Sequence, residues 1–349
     1  PEPRARPSPQ TPGQEQQAEP SAAPWPLITD VAVILAHAQP RPKVIVENLI
    51  YAGSKVSFSG PSKARKTFFQ LHFCLCVALG REWYGLATTQ GRVLYVNLEL
   101  HPFSFQDRVQ AILKRLDATL PEGVLDVWHL RGLGVTIERL QSELARRVQQ
   151  DSYSLLCFDP LYKCLGARSE NSAAEMGDLL IRLEGIGHSA GAATLVSHHY
   201  SKGLASGKEA IDRSSGSGVV GRDGDAILML TPHEADDCFT LEAIVRDFPP
   251  LAPFVLRWNY PCFEPDQRLD PKNLKKQVSS QPRVTQEDVL AVVTSTPATR
   301  ENIVQALMKR TGRGENACRA AFTQAETANL LQVEKLPRKG NRPILRYFK

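Results

Sequence analysis

Residues 56–69 have the sequence VSFSGPSKARKTFF, and this stretch decides the fold. Four strand-forming residues, VSFS (56–59), come first. The loop GPSKARKT (60–67) follows, and then the apolar helical segment FFQLHFCLCVALG (68–80), which ends at a glycine. A strand, a short loop and a helix in this order aim backbone N–H groups and the positive end of the helix at one point, where they attract phosphate. The stretch therefore predicts a phosphate-binding loop, or P-loop.

Two loop residues have side chains suited to a nucleotide and its metal. Lys66 is expected to neutralise the β- and γ-phosphates, and the Thr67 hydroxyl to bind Mg²⁺. The usual pattern GxxxxGK(S/T) has glycine where this chain has Arg65, so that side chain must point away from the phosphates or the loop must differ. The alternative is a chance GxxxxxKT in an ordinary loop. The predicted nucleotide-binding residues are Gly60, Pro61, Ser62, Lys63, Ala64, Arg65, Lys66 and Thr67.

Strand-like and helix-like segments alternate after the loop. The predicted strands are 92–100, 125–130, 154–160 and 192–199, and the predicted helices are 103–116, 136–150 and 172–191. This alternation is typical of βαβ units and predicts an α/β fold with a mostly parallel twisted sheet flanked by helices. Three further strand-like segments, 225–232, 238–248 and 254–260, follow without long helices. We expect them to extend one edge of the sheet as antiparallel strands.

Polar residues stand at the ends of three predicted strands. Asp159 ends the apolar run LLCFD and can hold Mg²⁺ through water, or simply cap the next helix. Glu99 ends VLYVNLE and can orient and deprotonate an attacking water, or be an ordinary surface residue. His198 and His199 end TLVSHH, and alternation directs one of them to the site. We favour His199 as a hydrogen-bond donor to the γ-phosphate over a plain pair of loop histidines.

A Gly/Ser-rich segment, KEAIDRSSGSGVVGRDGDAILML (208–230), predicts a mobile loop that runs into a strand. Arg213 and Arg222 lie within it. In a ring, an arginine of one subunit can reach the γ-phosphate bound by its neighbour and stabilise transition-state charge. We favour Arg213 for this role. The alternative is that both arginines are solvated loop residues.

Composition excludes several classes of protein. Seven scattered cysteines with no CxxC argue against a disulfide framework or a zinc site and indicate a reducing cytoplasm. The chain shows no run of about 20 apolar residues, so no membrane span is predicted. No signal-peptide pattern stands at the N-terminus.

Composition also divides the chain. Residues 1–26 contain eight prolines and are expected to be disordered. The ATPase-like core is predicted over 27–263. A linker rich in Pro, Lys, Gln and Ser is predicted over 264–284, and a basic module over 285–349.

The basic module carries the excess positive charge of the chain, since 284–349 hold eleven Lys/Arg and six Asp/Glu. Three predicted helices and two strands there are similar to a winged-helix module. Its basic character favours an anionic partner, DNA above all, over a protein-docking role or an ordinary solvated surface. The residues expected on or near a recognition helix are Arg313, Asn316 and Arg319, and those expected in the wing are Arg338, Lys339 and Arg342.

The motifs together resemble the RecA-fold hexameric replicative helicases of plasmids and phages, and their AAA-family relatives in bacterial genomes. The resemblance covers roughly residues 40–262. It rests on GPSKARKT, on GREWYGL before VLYVNLE, and on LLCFDPL, SHHYSKG and SSGSGVVGRDGDAIL. Where the family often has arginine before Gly-Ser-Ser, this chain has Ser215.

The resemblance implies site roles and partners. Lys66 and Thr67 match the phosphate and metal positions, Glu99 the catalytic glutamate, Asp159 the Walker B aspartate and His199 the γ-phosphate sensor. It implies ATP and Mg²⁺ as ligands, single-stranded DNA as a partner and a homo-oligomer, in the form of a hexameric ring. Two alternatives remain open at the level of sequence. One is a RecA-like ATPase that switches conformation or loads a partner without helicase activity, and the other binds a nucleotide without turnover.

Overall fold

The computed structural model describes residues 26–37, 40–166, 168–169, 172–199, 223–275, 284–336 and 344–348. Several predictions fall outside this part of the chain. These are most of the disorder predicted over 1–26, most of the Gly/Ser-rich loop with Arg213 and Arg222, and the wing residues Arg338, Lys339 and Arg342.

Among the residues that the structure describes, a small hairpin and one large sheet contain the first eleven strands. Their bounds are β1 (Val44–Val46), β2 (Ile50–Tyr51), β3 (Lys55–Gly60), β4 (Val93–Asn97), β5 (Leu125–His129), β6 (Leu155–Asp159), β7 (Ala193–His199), β8 (Ala226–Pro232), β9 (Cys238–Val245), β10 (Phe254–Asn259) and β11 (Cys262–Pro265). In the described residues the large sheet has the order β11-β10-β9-β8-β3-β7-β6-β4-β5. The pairs from β8 through β5 are parallel, and β9, β10 and β11 are antiparallel additions at one edge. The predicted mostly parallel sheet with an antiparallel extension is confirmed.

Helices cover both faces of the parallel part. They are preceded by a short first helix, and their bounds are α1 (Val31–Ala36), α2 (Lys66–Leu79), α3 (Pro102–Arg115), α4 (Ile137–Arg147) and α5 (Ala173–Ala190). Side chains alternate along β6, so that Leu155 and Cys157 join the core with α2 and α3, whereas Leu156 and Phe158 join the core with α4 and α5. This layered arrangement fits a RecA-like fold.

Local sequence signals set the ends of these helices. The side chains of Asp30, Thr136 and Ser172 accept hydrogen bonds from the first turns of α1, α4 and α5. Gly80 ends α2 in the left-handed conformation, as predicted, because glycine adopts positive φ without steric cost. Helix α1 buries none of its residues. Among the described residues, none of the helices combines the length and apolar character needed to cross a bilayer.

The antiparallel edge continues past the predicted boundary at residue 263. Strand β11 runs to Pro265, and its Cys262 and Phe263 are buried against the core. The Asp266 carboxylate then accepts hydrogen bonds from Arg257, at 3.0 Å, and from Arg268, at 3.1 Å. The Lys275 N–H donates to the Pro232 carbonyl at 2.8 Å. The segment 264–275 is therefore bonded to the sheet, although its prolines and charges suggested a linker.

The C-terminal residues form a separate core. Three helices and three strands build it, namely α6 (Gln286–Val292), β12 (Ala298–Thr299), α7 (Arg300–Thr311), α8 (Glu315–Thr327), β13 (Gln332–Leu336) and β14 (Ile344–Phe348). The strands pair antiparallel in the order β12-β14-β13. Val289, Leu307 and Phe322 are fully buried at the centre of this unit. The three predicted helices are confirmed, and β12 is an additional short strand.

Candidate nucleotide-binding site

The site lies at the carboxyl edge of the parallel strands. β7 pairs with β3 on one side and with β6 on the other, and β4 follows β6. The loop after β3, the end of β6 and the turn after β4 therefore meet at one edge. Ligands bind outside the carboxyl ends of strands in open α/β sheets, so the fold itself brings the predicted residues together.

The predicted P-loop joins β3 to α2 through a tight turn. Ala64 is buried, and its N–H donates to the Pro61 carbonyl at 3.2 Å. Arg65 precedes the helix with φ 57° and ψ 32°, in the left-handed region, and gives the helix no side-chain cap. The first-turn N–H groups of an α-helix have no acceptor within the helix, so this end can receive an anion. Thr67 lies in the same first turn.

Lys66 lies across the mouth of the loop. Its Nζ donates to the carbonyl oxygens of Gly60 and Pro61, each at 3.0 Å. Burial lowers the pKa of Lys66 to about 8, and the charges of Asp159 and Glu99 oppose that shift. The Lys66 ammonium therefore interacts electrostatically with Asp159 and Glu99, the two carboxylates that the sequence predicts at the site.

Asp159 is buried at the end of β6 and held by two hydroxyl groups. The Tyr95 phenol donates to Oδ2 and the Ser197 hydroxyl to Oδ1, both at 2.7 Å. Burial, and then the Asp159 charge, raise the pKa of Tyr95 well above its usual value, so the phenol keeps its proton and remains a donor. Neither Tyr95 nor Ser197 is among the residues predicted from the sequence. The available signal was a hydroxyl on an apolar strand, which needs a partner when buried.

Glu99 stands in a bend just beyond β4, which ends at Asn97 rather than at the predicted residue 100. The Asn97 side chain shapes the bend, because its Oδ1 accepts the N–H of Glu99 at 3.3 Å and the N–H of Leu100 at 2.8 Å. Asn97 in turn is fixed by His129, whose Nδ1 lies 2.8 Å from Nδ2. The Glu99 carboxylate is exposed, and the Tyr162 hydroxyl lies 3.5 Å from Oε2.

The last residues of β7 flank the loop. His199 is the register partner of Gly60, and His198 that of Ser59. His198 is buried, while the side chain of His199 lies outside what the structure describes. The backbone of the predicted γ-phosphate sensor is thus adjacent to the start of the P-loop.

The Arg65 side chain leaves the loop. Its Nη2 lies 2.8 Å from Oδ1 of Asp237, and its guanidinium carbon lies 4.8 Å from the centre of the Trp258 ring. Asp237 lies in the turn between β8 and β9, and Trp258 lies on β10. The arginine therefore does not occupy the phosphate cradle.

Three of the six predicted nucleic-acid residues lie in the described part of the C-terminal unit. Arg313 lies in the connection between α7 and α8, and Asn316 and Arg319 lie on α8. Arg319 makes an ion pair with Glu315 one turn earlier, at 2.8 Å. The structure thus groups these three residues at the start of one helix.

The chemistry of the donor set fits Mg²⁺. Within the described residues no group of three or more His, Cys, Asp or Glu side chains is arranged to hold a metal ion. Mg²⁺ at a nucleotide does not require one, because it keeps several waters and takes phosphate oxygens with one or two protein oxygens. Thr67 at the helix start and Asp159 at the end of β6 are oxygen donors of that kind.

A strand–loop–helix phosphate cradle, a lysine at its mouth and a buried carboxylate two strands away define a P-loop nucleoside triphosphatase. Residues 18–205 match the family model described as AAA domain, which is more than half of the chain. The chain belongs to this family of nucleotide-binding ATPases, which typically act with Mg²⁺. A search of curated proteins found no match.

Proposed function

We propose that this protein is an ATP-hydrolysing motor of the RecA type that acts on DNA. In this proposal it is a translocase or helicase in the replication of a plasmid, phage or other mobile element. The observation that carries the proposal is the position of Lys66, which lies at the mouth of the loop within the field of both Asp159 and Glu99. In this arrangement Lys66 is suited to bind the triphosphate. The buried Asp159 is suited to hold its metal, and the exposed Glu99 is suited to activate water.

The proposed roles follow from the surroundings of each group. Lys66 and the loop amides would bind the β- and γ-phosphates of ATP. Thr67 and Asp159 would hold Mg²⁺, which would supply positive charge to neutralise the phosphates. Two hydrogen bonds fix Asp159 in its orientation, as a metal-holding carboxylate requires. Glu99 is exposed at the same edge, where it can take a proton from water.

The roles of His199 and Arg213 complete the proposal. His199, beside Gly60 in the sheet, would hydrogen-bond the γ-phosphate. Arg213 would reach the nucleotide of a neighbouring subunit in a hexameric ring. These roles rest on the sequence resemblance together with the register of β7.

The C-terminal unit supports a DNA partner. Its three helices and antiparallel strands support the proposal of a winged-helix module, and the segment 284–349 has a net charge of +5, from eleven basic and six acidic residues. Arg313, Asn316 and Arg319 at the start of α8 would face DNA, with single-stranded DNA as the expected substrate. Arg338, Lys339 and Arg342 would contact phosphates.

The test is ATP hydrolysis by the purified full chain with and without single-stranded DNA, together with a native mass measurement. We expect stimulation by DNA, binding that weakens steeply as salt rises, and a ring-sized mass. Turnover that is indifferent to DNA would instead support an ATPase switch that loads a partner.

A substitution separates binding from hydrolysis. Glu99→Gln should keep ATP binding and stop turnover, because the amide cannot accept the proton. Glu143→Gln on α4, which removes a carboxylate paired with Arg146 and Arg147, is the matched control and should leave turnover unchanged. Normal hydrolysis by Glu99→Gln would show that another group acts as the base.

A further inference from the structure

Arg65 adopts a backbone conformation that normally calls for glycine. Its φ of 57° lies in the left-handed region, where a residue with a Cβ carries a steric penalty equivalent to about 5- to 30-fold in a conformational equilibrium. The usual glycine of a P-loop avoids that penalty. Because Arg65 is not a glycine, contacts of its side chain must stabilise the left-handed conformation of the loop at this residue.

Two contacts join Arg65 to Asp237 and Trp258, and a third contact joins these two partners to each other. The guanidinium binds the Asp237 carboxylate at 2.8 Å and covers the Trp258 ring at 4.8 Å. The third contact is a backbone hydrogen bond between the two partners, in which the Trp258 N–H donates to the Asp237 carbonyl at 2.8 Å. We call Arg65, Asp237 and Trp258 the arginine clamp.

The exposed fraction of the Asp237 side chain indicates how much its ion pair contributes to the clamp. The Asp237 side chain is 61% exposed, so solvent screens its ion pair with Arg65, which by itself contributes little. Stacking on Trp258 adds a second contact that depends on the planar guanidinium. Phe68, in the first turn of α2, also meets Trp258 edge-on, with ring centres 5.2 Å apart. The loop and the helix start are thus fastened to the same tryptophan.

We propose that Arg65 is a positioning residue, and that the arginine clamp holds the P-loop in its phosphate-accepting shape. In this chain a side-chain clamp replaces the conformational freedom of glycine. The proposal rests on the proposed function, since it assumes that the loop binds a triphosphate. It predicts that Asp237 affects phosphate binding only while an arginine is present at position 65.

The test is a square of four full-length proteins: the unmodified chain, Arg65→Gly, Asp237→Gly and the double variant. Asp237 itself has φ 54°, so glycine removes its side chain without adding backbone strain. The probe is inorganic tripolyphosphate with Mg²⁺, measured by calorimetry. This probe has no base, so any contact of Trp258 with a nucleobase cannot contribute.

The clamp predicts an asymmetric result. Asp237→Gly should weaken binding roughly two- to fivefold in the unmodified chain, the range of an exposed ion pair. It should have no measurable effect in the Arg65→Gly background, because glycine adopts the left-handed conformation without the clamp. Asp236→Gly removes the same charge one residue away, where the side chain is 96% exposed and pairs with Lys275, and should leave binding unchanged in both backgrounds.

Three outcomes would overturn the clamp. One is equal weakening by Asp237→Gly in both backgrounds, which would mean that Asp237 acts on stability or charge without Arg65. The second is no weakening in the unmodified chain. The third is failure of the unmodified chain to bind tripolyphosphate or ATP, which would overturn the proposed function as well. Lys66→Ala separates these cases, because it should abolish binding in every member of the square if the loop is the phosphate site.

Discussion

The phenol of Tyr95 donates a hydrogen bond to Asp159 across two neighbouring parallel strands, with 2.7 Å between the oxygens. Tyr95 is fully buried on β4, and Asp159 ends β6. The bond joins an internal side chain of the sheet to the carboxylate at its edge. The orientation of the proposed metal ligand is thus set from inside the core.

Tyr95→Phe should reduce ATP hydrolysis about tenfold, because partners that orient a metal ligand contribute on that scale. The ring stays in place and only the hydroxyl is lost, so the fold should persist. Steady-state rates over a Mg²⁺ titration measure the effect, and we expect a higher Mg²⁺ requirement. The control is Tyr153→Phe, which removes a similar bond to Asp126 at 2.8 Å. Equal losses in the two variants would contradict the assignment.

Asn97→Ala should lower kcat by about tenfold or more while the KM for ATP changes little. The amide fixes the bend that carries Glu99, and a misplaced base slows chemistry more than binding. Initial rates at varied ATP concentration separate the two constants. Asn259→Ala, which removes a 3.1 Å contact with Glu264, serves as the comparison. A large rise in KM alone would place Asn97 in nucleotide binding instead.

The kcat/KM for ATP should fall as the pH rises through about 8. The pKa of Lys66 is lowered from 10.5 to about 8, chiefly by burial, so the free protein loses this cation above that pH. A neutral lysine attracts the triphosphate less, and kcat/KM reports on the free protein. Rates measured between pH ~6.5 and ~9.5 test this. Lys66→Arg stays charged throughout, so its activity, even if lower, should not show the same fall.

Arg313→Ala with Arg319→Ala should weaken DNA binding and make it less sensitive to salt. Each arginine that contacts a phosphate adds about one unit to the slope of log affinity against log salt. Fluorescence anisotropy at several salt concentrations gives that slope. Arg146→Ala with Arg147→Ala removes the same charge from α4 and should leave the slope unchanged. An unchanged slope in the first pair would point to a different role for α8.

Much of the fold follows from local patterns. Apolar periodicity and helix-ending glycines located α2 and α5, and the run LLCFD located β6 with its terminal aspartate. The first hairpin, β1 and β2, was not anticipated. Strand β11 was hidden by the prolines around it, because proline is a signal for loops when neighbouring strands are unknown. Its antiparallel pairing with β10 and the burial of Cys262 and Phe263 show that this segment belongs to the sheet.

The site was predicted as single residues rather than as contacts. Lys66, Glu99 and Asp159 each stand at a recognisable strand or helix end, so their positions could be inferred. The partner of Arg65 could not, since Asp237 lies 172 residues away in the chain. Tyr95 and Ser197 were missed for the same reason, because pairing between strands decides which buried hydroxyl meets which carboxylate.

Strand β7 lies between the strand that leads into the P-loop and the strand that ends at Asp159. Neighbouring strands are about 4.8 Å apart, so the backbones of β3 and β6 are separated by about 10 Å. Backbone hydrogen bonds of β7 to β3 and to β6 fix this separation. Loops and terminal modules can therefore differ widely among related chains, while the distance between the P-loop and Asp159 stays constant. A triphosphate and its metal must span that distance.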